Sequence, residues 1–265
     1  EVGTRRGFAH LLPQQADEVD ACLSLIYNLS AGNGSLSDLD RLRADQAACQ
    51  ATGLHCGLSS RRASEFLARF TASSLGLLHA IARRVARPVV AAHAQRLHGQ
   101  LGYMPIFVDG SAIEVQSTQF EGARRGYNGS LQYWLHAVFV GDMWASSRLH
   151  PGGTDVASSW HEQLKDDLAA MLPQGVCPWV RADNAYYRGD FVRWLQGQRW
   201  DYSISVTNDN NKAPVLRQVR GDSGHHWRRL NDDEHAILVW HQPAGWDRPQ
   251  AYVVGCTRYE GAQAL

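Results

Sequence analysis

An α/β fold built on a mixed sheet is the expectation, and three observations carry it. Apolar residues recur at helical spacing through the first hundred positions, and from about residue 104 they switch to extended runs. Those runs then follow the order strand, strand, strand, helix, strand, helix, strand. The first two connections are short enough for antiparallel hairpins and the later ones carry helices, which is how a chain reaches parallel neighbours.

In the first hundred residues Leu36, Leu39 and Leu42 recur behind Ser35 and Asp38, a candidate capping box. A second helix is expected after Ser59-Ser60, with Ala63, Phe66, Leu67 and Phe70 inward and Arg61, Arg62 and Arg69 outward. A third follows Ser73-Ser74 and is expected to stop at Arg87-Pro88, because the residue before proline disfavours the helical backbone. Helices with basic outer faces fit a DNA reader, with Arg61 and Arg62 as candidate contacts; they fit equally a bundle whose arginines are merely solvated.

The strands begin with Pro105 to Val108, ending at Asp109. Leu131 to Val140 is the second, Gly141-Asp142 a hairpin turn, and Met143 to Leu149 the third. Pro151-Gly152-Gly153 breaks the chain, and Thr154 is placed to cap a helix burying Val156, Trp160, Leu164, Leu168 and Met171. A fourth strand ends at Asp183, a helix runs from about Arg188 to Gln198, and Trp200 to Val206 is the fifth strand. Asn208 to Asn211 reads as a loop, followed by short strands at His225 to Leu230, Ala236 to His241 and Ala251 to Thr257. The expected organisation is therefore a helical region over 1–100, an α/β core over 101–207 and a β segment over 208–265.

Composition bounds the rest. Hydrophobic residues make 44% and charged residues 20% of 265, ordinary for a globular protein with a substantial core. No apolar run approaches the ~20 residues that cross a bilayer and no secretory signal opens the chain, so a cytoplasmic protein without a membrane partner is expected. Five scattered cysteines, an odd number without a CxxC pair, argue for free thiols rather than a disulfide framework. Cys49, His55 and Cys56 lack the second ligand pair of a zinc knot. The net charge of zero divides into 11 Lys and Arg against 8 Asp and Glu over residues 1–100, and 15 against 18 over the remainder.

Asp109 and Asp183 are the candidate site. Each follows an apolar extended run, Ile106-Phe107-Val108 and Trp179-Val180-Arg181-Ala182, where a carboxylate at a sheet rim can hold a hard cation. In the ribonuclease-H-like fold the first and fourth strands of this order are neighbours, which would bring the two acids together. His136, mid-strand among apolar residues, reads as a satisfied core histidine rather than a ligand, and Trp240 as core; Trp227 and Trp246 could also stack on an extruded base.

Val108-Asp109-Gly110, the stretch Glu121 to Gly129, Gln132 to His136, Leu149 to Asp155 and above all Arg181-Ala182-Asp183-Asn184-Ala185-Tyr186-Tyr187 resemble a DDE transposase of a bacterial insertion sequence, in the subgroup whose ribonuclease-H-like core carries a β insertion. The resemblance spans about residues 35 to 260 and implies two-metal cleavage and transfer of DNA strands. It implies Mg²⁺ or Mn²⁺ as cofactor, Asp109 and Asp183 as the first two catalytic acids and metal ligands, element ends and target DNA as partners, and a homodimer in the transposition complex. Arg124, Arg125 and Tyr127 would touch DNA phosphate beside the metals, or form an ordinary hairpin connection. The family's third acid is a glutamate on a helix after the insertion. Glu234 and Glu260 read as surface acids, so the expectation is a chain truncated before its last catalytic element and inactive alone. A DNA-binding remnant without catalysis is the alternative; a glycosidase with an Asp pair is a third reading, weakened by the lack of a sugar platform.

Overall fold

The computed structural model describes residues 18–54, 57–126, 128–207, 209–221 and 227–257. The chain divides into two compact units between Val85 and Ala86.

The first unit is helical: α1 (Glu18–Ser30), α2 (Asp38–Ala44), α3 (Gln46–Thr52), α4 (Ser60–Leu67) and the start of α5 (Ala72–Leu101). Polar residues punctuate it. The Asp38 carboxylate accepts the Ser35 N–H, one half of the expected capping box, and the Asp45 and Ser59 side chains accept N–H groups in the first turns of α3 and α4. Its small core joins Ala21 and Phe66 with Cys22, Leu25, Leu58 and Phe70. Cys22, Cys49 and Cys177 are free thiols; His55 and Cys56 lie outside the described residues.

Helix α5 corrects an expectation, since it continues through Pro88 to Leu101 instead of stopping there. Proline deprives the Arg84 carbonyl of its helical partner, at a cost of order 3 kcal/mol. The continuation offsets that cost because Val90 and Ala94 are buried in the second unit's core, with Ala86 and Leu97 packed against it at helical spacing.

In the second unit, β1 (Met104–Glu114), β3 (Leu131–Val140) and β4 (Met143–Pro151) are antiparallel, with the hairpin at Gly141 as expected. Then β5 (Pro178–Ala182) lies parallel beside β1, and β6 (Asp201–Ile204) parallel beside β5. A two-residue strand, β2 (Arg124–Arg125), continues the sheet on β3. Three antiparallel strands with the fourth and fifth added in parallel on the far side of the first is the ribonuclease-H-like topology. β1 runs further than expected: past Asp109 it goes on to Glu114, paired there to β3 alone.

The segment after β4 begins as a 3-10 turn (Val156–Ser159), continues as a π-helical stretch (His161–Leu168) and closes with Ala169–Met171. It buries Trp160, Leu164, Leu168 and Met171 on the sheet, and α6 (Gly189–Gln198) adds Phe191 and Leu195 to the same core. Asp209 to Asn211, read as loop from their polarity, instead open helix α7 (Asp209–Gly221). Val215 and Val219, one turn apart, explain it: they bury against Ile237, Val239 and Tyr252 of β8 (Glu234–His241) and β9 (Gln250–Thr257). With β7 (Arg228–Arg229) these strands form a separate three-stranded antiparallel sheet. Trp240 is not core: it is 63% exposed on the outer face of β8.

Candidate active site

The register sets the geometry. Val108 of β1 and Ala182 of β5 are the last parallel partners, both buried, and each is followed by an exposed aspartate, Asp109 within β1 and Asp183 just past the end of β5. Adjacent strands lie ~4.8 Å apart, so the two backbones stand side by side where β5 gives out. Each carboxylate is oriented by a local N–H. Asp109 Oδ1 accepts from Gly110 at 2.8 Å, and Asp183 Oδ1 accepts from Ala185 at 3.0 Å, capping the 3-10 turn Asn184–Tyr186.

A third acid stands near, one that reading along the chain passes over. Asp155 precedes the 3-10 turn Val156–Ser159, and Val156 presses on Gly110: a Cβ there would sit 2.6 Å from Val156 Cγ2. Only glycine allows that approach. Arg188 holds the Asp155 carboxylate at 3.0 Å and reaches Asp190 at 3.5 Å. Below the rim Tyr186 is buried, with no hydrogen-bond partner for its hydroxyl among the described residues. Burial, and then the negative fields of Asp183, Asp109 and Asp155, push that phenol far up from its ordinary range. Local pattern at Thr154-Asp155 is that of a turn; the stretch Leu149 to Asp155 belongs to the family resemblance, but it is the packing of Val156 on Gly110 that draws Asp155 to the site.

Beneath the rim a cluster of polar side chains lies between β3, β4 and the π-helical stretch. His136 is fully buried, 5.7 Å from the Tyr186 ring and 6.1 Å from the His150 ring, and Gln163 donates to its carbonyl at 3.0 Å. As expected it is a core residue, yet neither ring nitrogen has a hydrogen-bond partner among the described residues. Burial first, then His150 and Arg148, push its pKa down to about 4. Arg148, opposite it in register, pairs with Glu162 at 2.9 Å and the buried Asp167 at 3.3 Å, and Ser146 donates to Asp167 at 3.1 Å.

Arg124 and Arg125 lie apart from the acids. Arg124 and Arg125 pair with Gln132 and Leu131, whereas Asp109 pairs with Ala137. Five residues of strand, ~17 Å, separate them along β3. The Arg125 guanidinium closes its own hairpin on the Gly129 carbonyl at 2.7 Å, and Tyr127 lies outside the described residues. Arg61 and Arg62 are in the first unit, exposed on α4. Glu234 opens β8 as an exposed acid accepting from Asn231, and Glu260 lies outside the described residues. Among the described residues no group of three or more His, Cys, Asp or Glu side chains is disposed to hold a metal ion. Asp109 and Asp183 thus remain the pair whose chemistry fits a hard cation: two exposed oxygen ligands on adjacent strands. No helix among the described residues is long and apolar enough to cross a membrane.

A family model for the transposase DDE domain matches residues 100–241. Comparison with curated proteins found no match. Among solved structures, similarity is found to a piggyBac transposase synaptic complex with hairpin DNA, at 10% identity and TM-score 0.44, covering 94% of this chain and 53% of that one. The catalytic domain of Mos1 mariner transposase matches at 13% identity and TM-score 0.31, covering 52% of this chain and 68% of that one. A Mos1 mariner paired-end complex with Mn matches at 12% identity and TM-score 0.29, covering 75% and 71%. The chain spans about half the length of the piggyBac chain, 53%. Strand order, rather than these distant likenesses, carries the fold assignment.

Proposed function

The chain belongs to the DDE transposase family, whose model covers more than half of it, and on that premise we propose that it serves DNA transposition, cleaving and transferring strands at the rim that bears Asp109 and Asp183. The supporting observation is the parallel register of β1 and β5, which sets two carboxylates from distant parts of the chain beside each other. Asp109 and Asp183 would hold Mg²⁺ or Mn²⁺, ions that prefer oxygen ligands. When bound, such a cation lowers the pKa of an attacking water or DNA 3′-hydroxyl and stabilises the leaving oxygen.

The protein's own contribution is placement. Asp109 sits within a strand bonded on both sides up to Val108, and the Gly110 and Ala185 N–H groups keep both carboxylates aimed before substrate arrives. Arg124 and Arg125, ~17 Å further along the sheet, are set to hold the phosphates of DNA extending away from the cut, some five base pairs on. Joining two element ends at one target calls for two sites, hence a homodimer in the complex. The family resemblance points to a bacterial insertion sequence as the element.

Arg188 occupies the Asp155 carboxylate, which leaves Asp109 and Asp183 as a two-carboxylate cation site, expected to bind Mn²⁺ loosely and to support little DNA cutting. Titration calorimetry with Mn²⁺ should show weak binding that disappears in Asp109→Ala and in Asp183→Ala. Unchanged binding in both variants sinks the site. Efficient cutting of a duplex by the chain alone, abolished by Asp109→Ala, would keep the site and overturn its weakness.

A further inference from the structure

Asp155 precedes a turn that it does not cap. An aspartate in that position ordinarily accepts an N–H of its own first turn, as Asp183 does from Ala185. The Asp155 side chain makes no such bond and accepts instead from Arg188, Oδ2 to Nη1 at 3.0 Å. We propose that Asp155 is a third cation ligand of the rim and that Arg188 withholds it, an assignment that rests on the cation reading of Asp109 and Asp183 above.

Placement supports it. Asp155 precedes Val156, which lies on Gly110, the neighbour of Asp109. The 3-10 turns that follow Asp155 and Asp183, Val156–Ser159 and Asn184–Tyr186, meet each other. Three carboxylates thus converge from three separate segments. Tyr186 lies under them, 1% exposed, its hydroxyl without a hydrogen-bond partner among the described residues and within the fields of all three. A buried hydroxyl calls for a partner, and a water carried by a cation on the rim supplies one.

Among the described residues no three acids are disposed to hold an ion, and Arg188 is the reason: it serves the rim as an internal counter-ion. The hold is light. The Arg188 and Asp155 side chains are 36% and 61% exposed, and ion pairs so open to water contribute little. Asp190 lies 3.5 Å from Arg188 Nε, so the guanidinium keeps a partner when it lets go of Asp155. The freed carboxylate adds a third charged oxygen, and affinity for a hard divalent ion rises with the charge of its ligands.

The test is Mn²⁺ binding by the full chain, read by titration calorimetry and by water-proton relaxation, which counts the waters left on the ion. A six-coordinate ion keeps about four waters on two carboxylates and about three on three. The unaltered chain should show the higher count. Arg188→Ala should bind about tenfold more tightly with about one water fewer, and Asp155→Asn added to it should abolish both changes. Arg188→Gln, which keeps the stem of the side chain, carries the test should the alanine variant fail to fold. Unchanged binding on loss of the guanidinium overturns the proposal. So does tighter binding with the water count unchanged, which would mean that Arg188 acts through charge alone, and so does a gain that survives Asp155→Asn. No Mn²⁺ binding by any of these chains, or binding indifferent to Asp109→Ala and Asp183→Ala, would instead overturn the cation site itself.

Discussion

His136 shows what one residue does when its chemistry disagrees with its surroundings. A ring with two polar nitrogens is held among apolar strand residues, facing Arg148, His150 and Tyr186, and neither nitrogen has a hydrogen-bond partner among the described residues. Its folded pKa, down at about 4, lies below the ordinary 6.5. Between those values the unfolded chain binds a proton that the folded chain refuses. Stability is therefore complete above pH ~6.5 and falls as pH drops toward ~4, by roughly 3 kcal/mol over the window. His136→Leu keeps the volume close and has nothing to titrate. Urea unfolding at pH 7 and pH 4.5 should lose most of that difference in the variant; an equal loss in both proteins would assign the acid sensitivity elsewhere.

At the scale of elements, the junction that matters is β1 against the 3-10 turn at Val156–Ser159. Gly110 stands where β1 leaves its parallel partner, and the stiff branched side chain of Val156 fills the place a Cβ would take. Gly110→Ala is predicted to lose about 1–3 kcal/mol by forcing that turn off the sheet. The double variant Gly110→Ala/Val156→Ala should recover part of the loss, because the added methyl then occupies the space vacated. A strictly additive cycle would show that the two residues do not press on each other.

For the molecule as a whole, the rim is a concentration of negative charge. Asp109, Asp183 and Asp155 all raise the Tyr186 pKa, and Asp155 is paired with Arg188. Without a cation, removing one charge should relax the fold: Asp109→Asn is predicted to raise Tm by about 1–3 °C. With millimolar Mn²⁺ the order reverses, since ligand binding stabilises the wild-type chain and leaves the variant unmoved. Thermal scans with and without the ion check both signs. A variant stabilised by Mn²⁺ as much as the wild type would place the ion elsewhere.

Local pattern was enough for much of this. Hydrophobic period placed β3, β4 and α6 within a residue or two, and the succession of hairpins followed by helical crossovers implied the mixed sheet, because connection length constrains strand direction. Asp109 and Asp183 were legible as a pair through that strand order. Other features depend on partners far along the chain. Pro88 stays within a helix because Val90 and Ala94 find the sheet, Asp209 opens a helix because Val215 and Val219 find β8 and β9, and Trp240 is exposed because register turns it to the outer face. Asp155 belongs with them: its approach to the rim comes from Val156 lying on Gly110, a contact between segments 46 positions apart in the sequence. Period and connection length are properties of neighbouring residues, so sequence alone determined the order of the core strands and the helix between β5 and β6. Which side chains meet is set by free energy summed over distant surfaces, and only the tertiary structure could decide it.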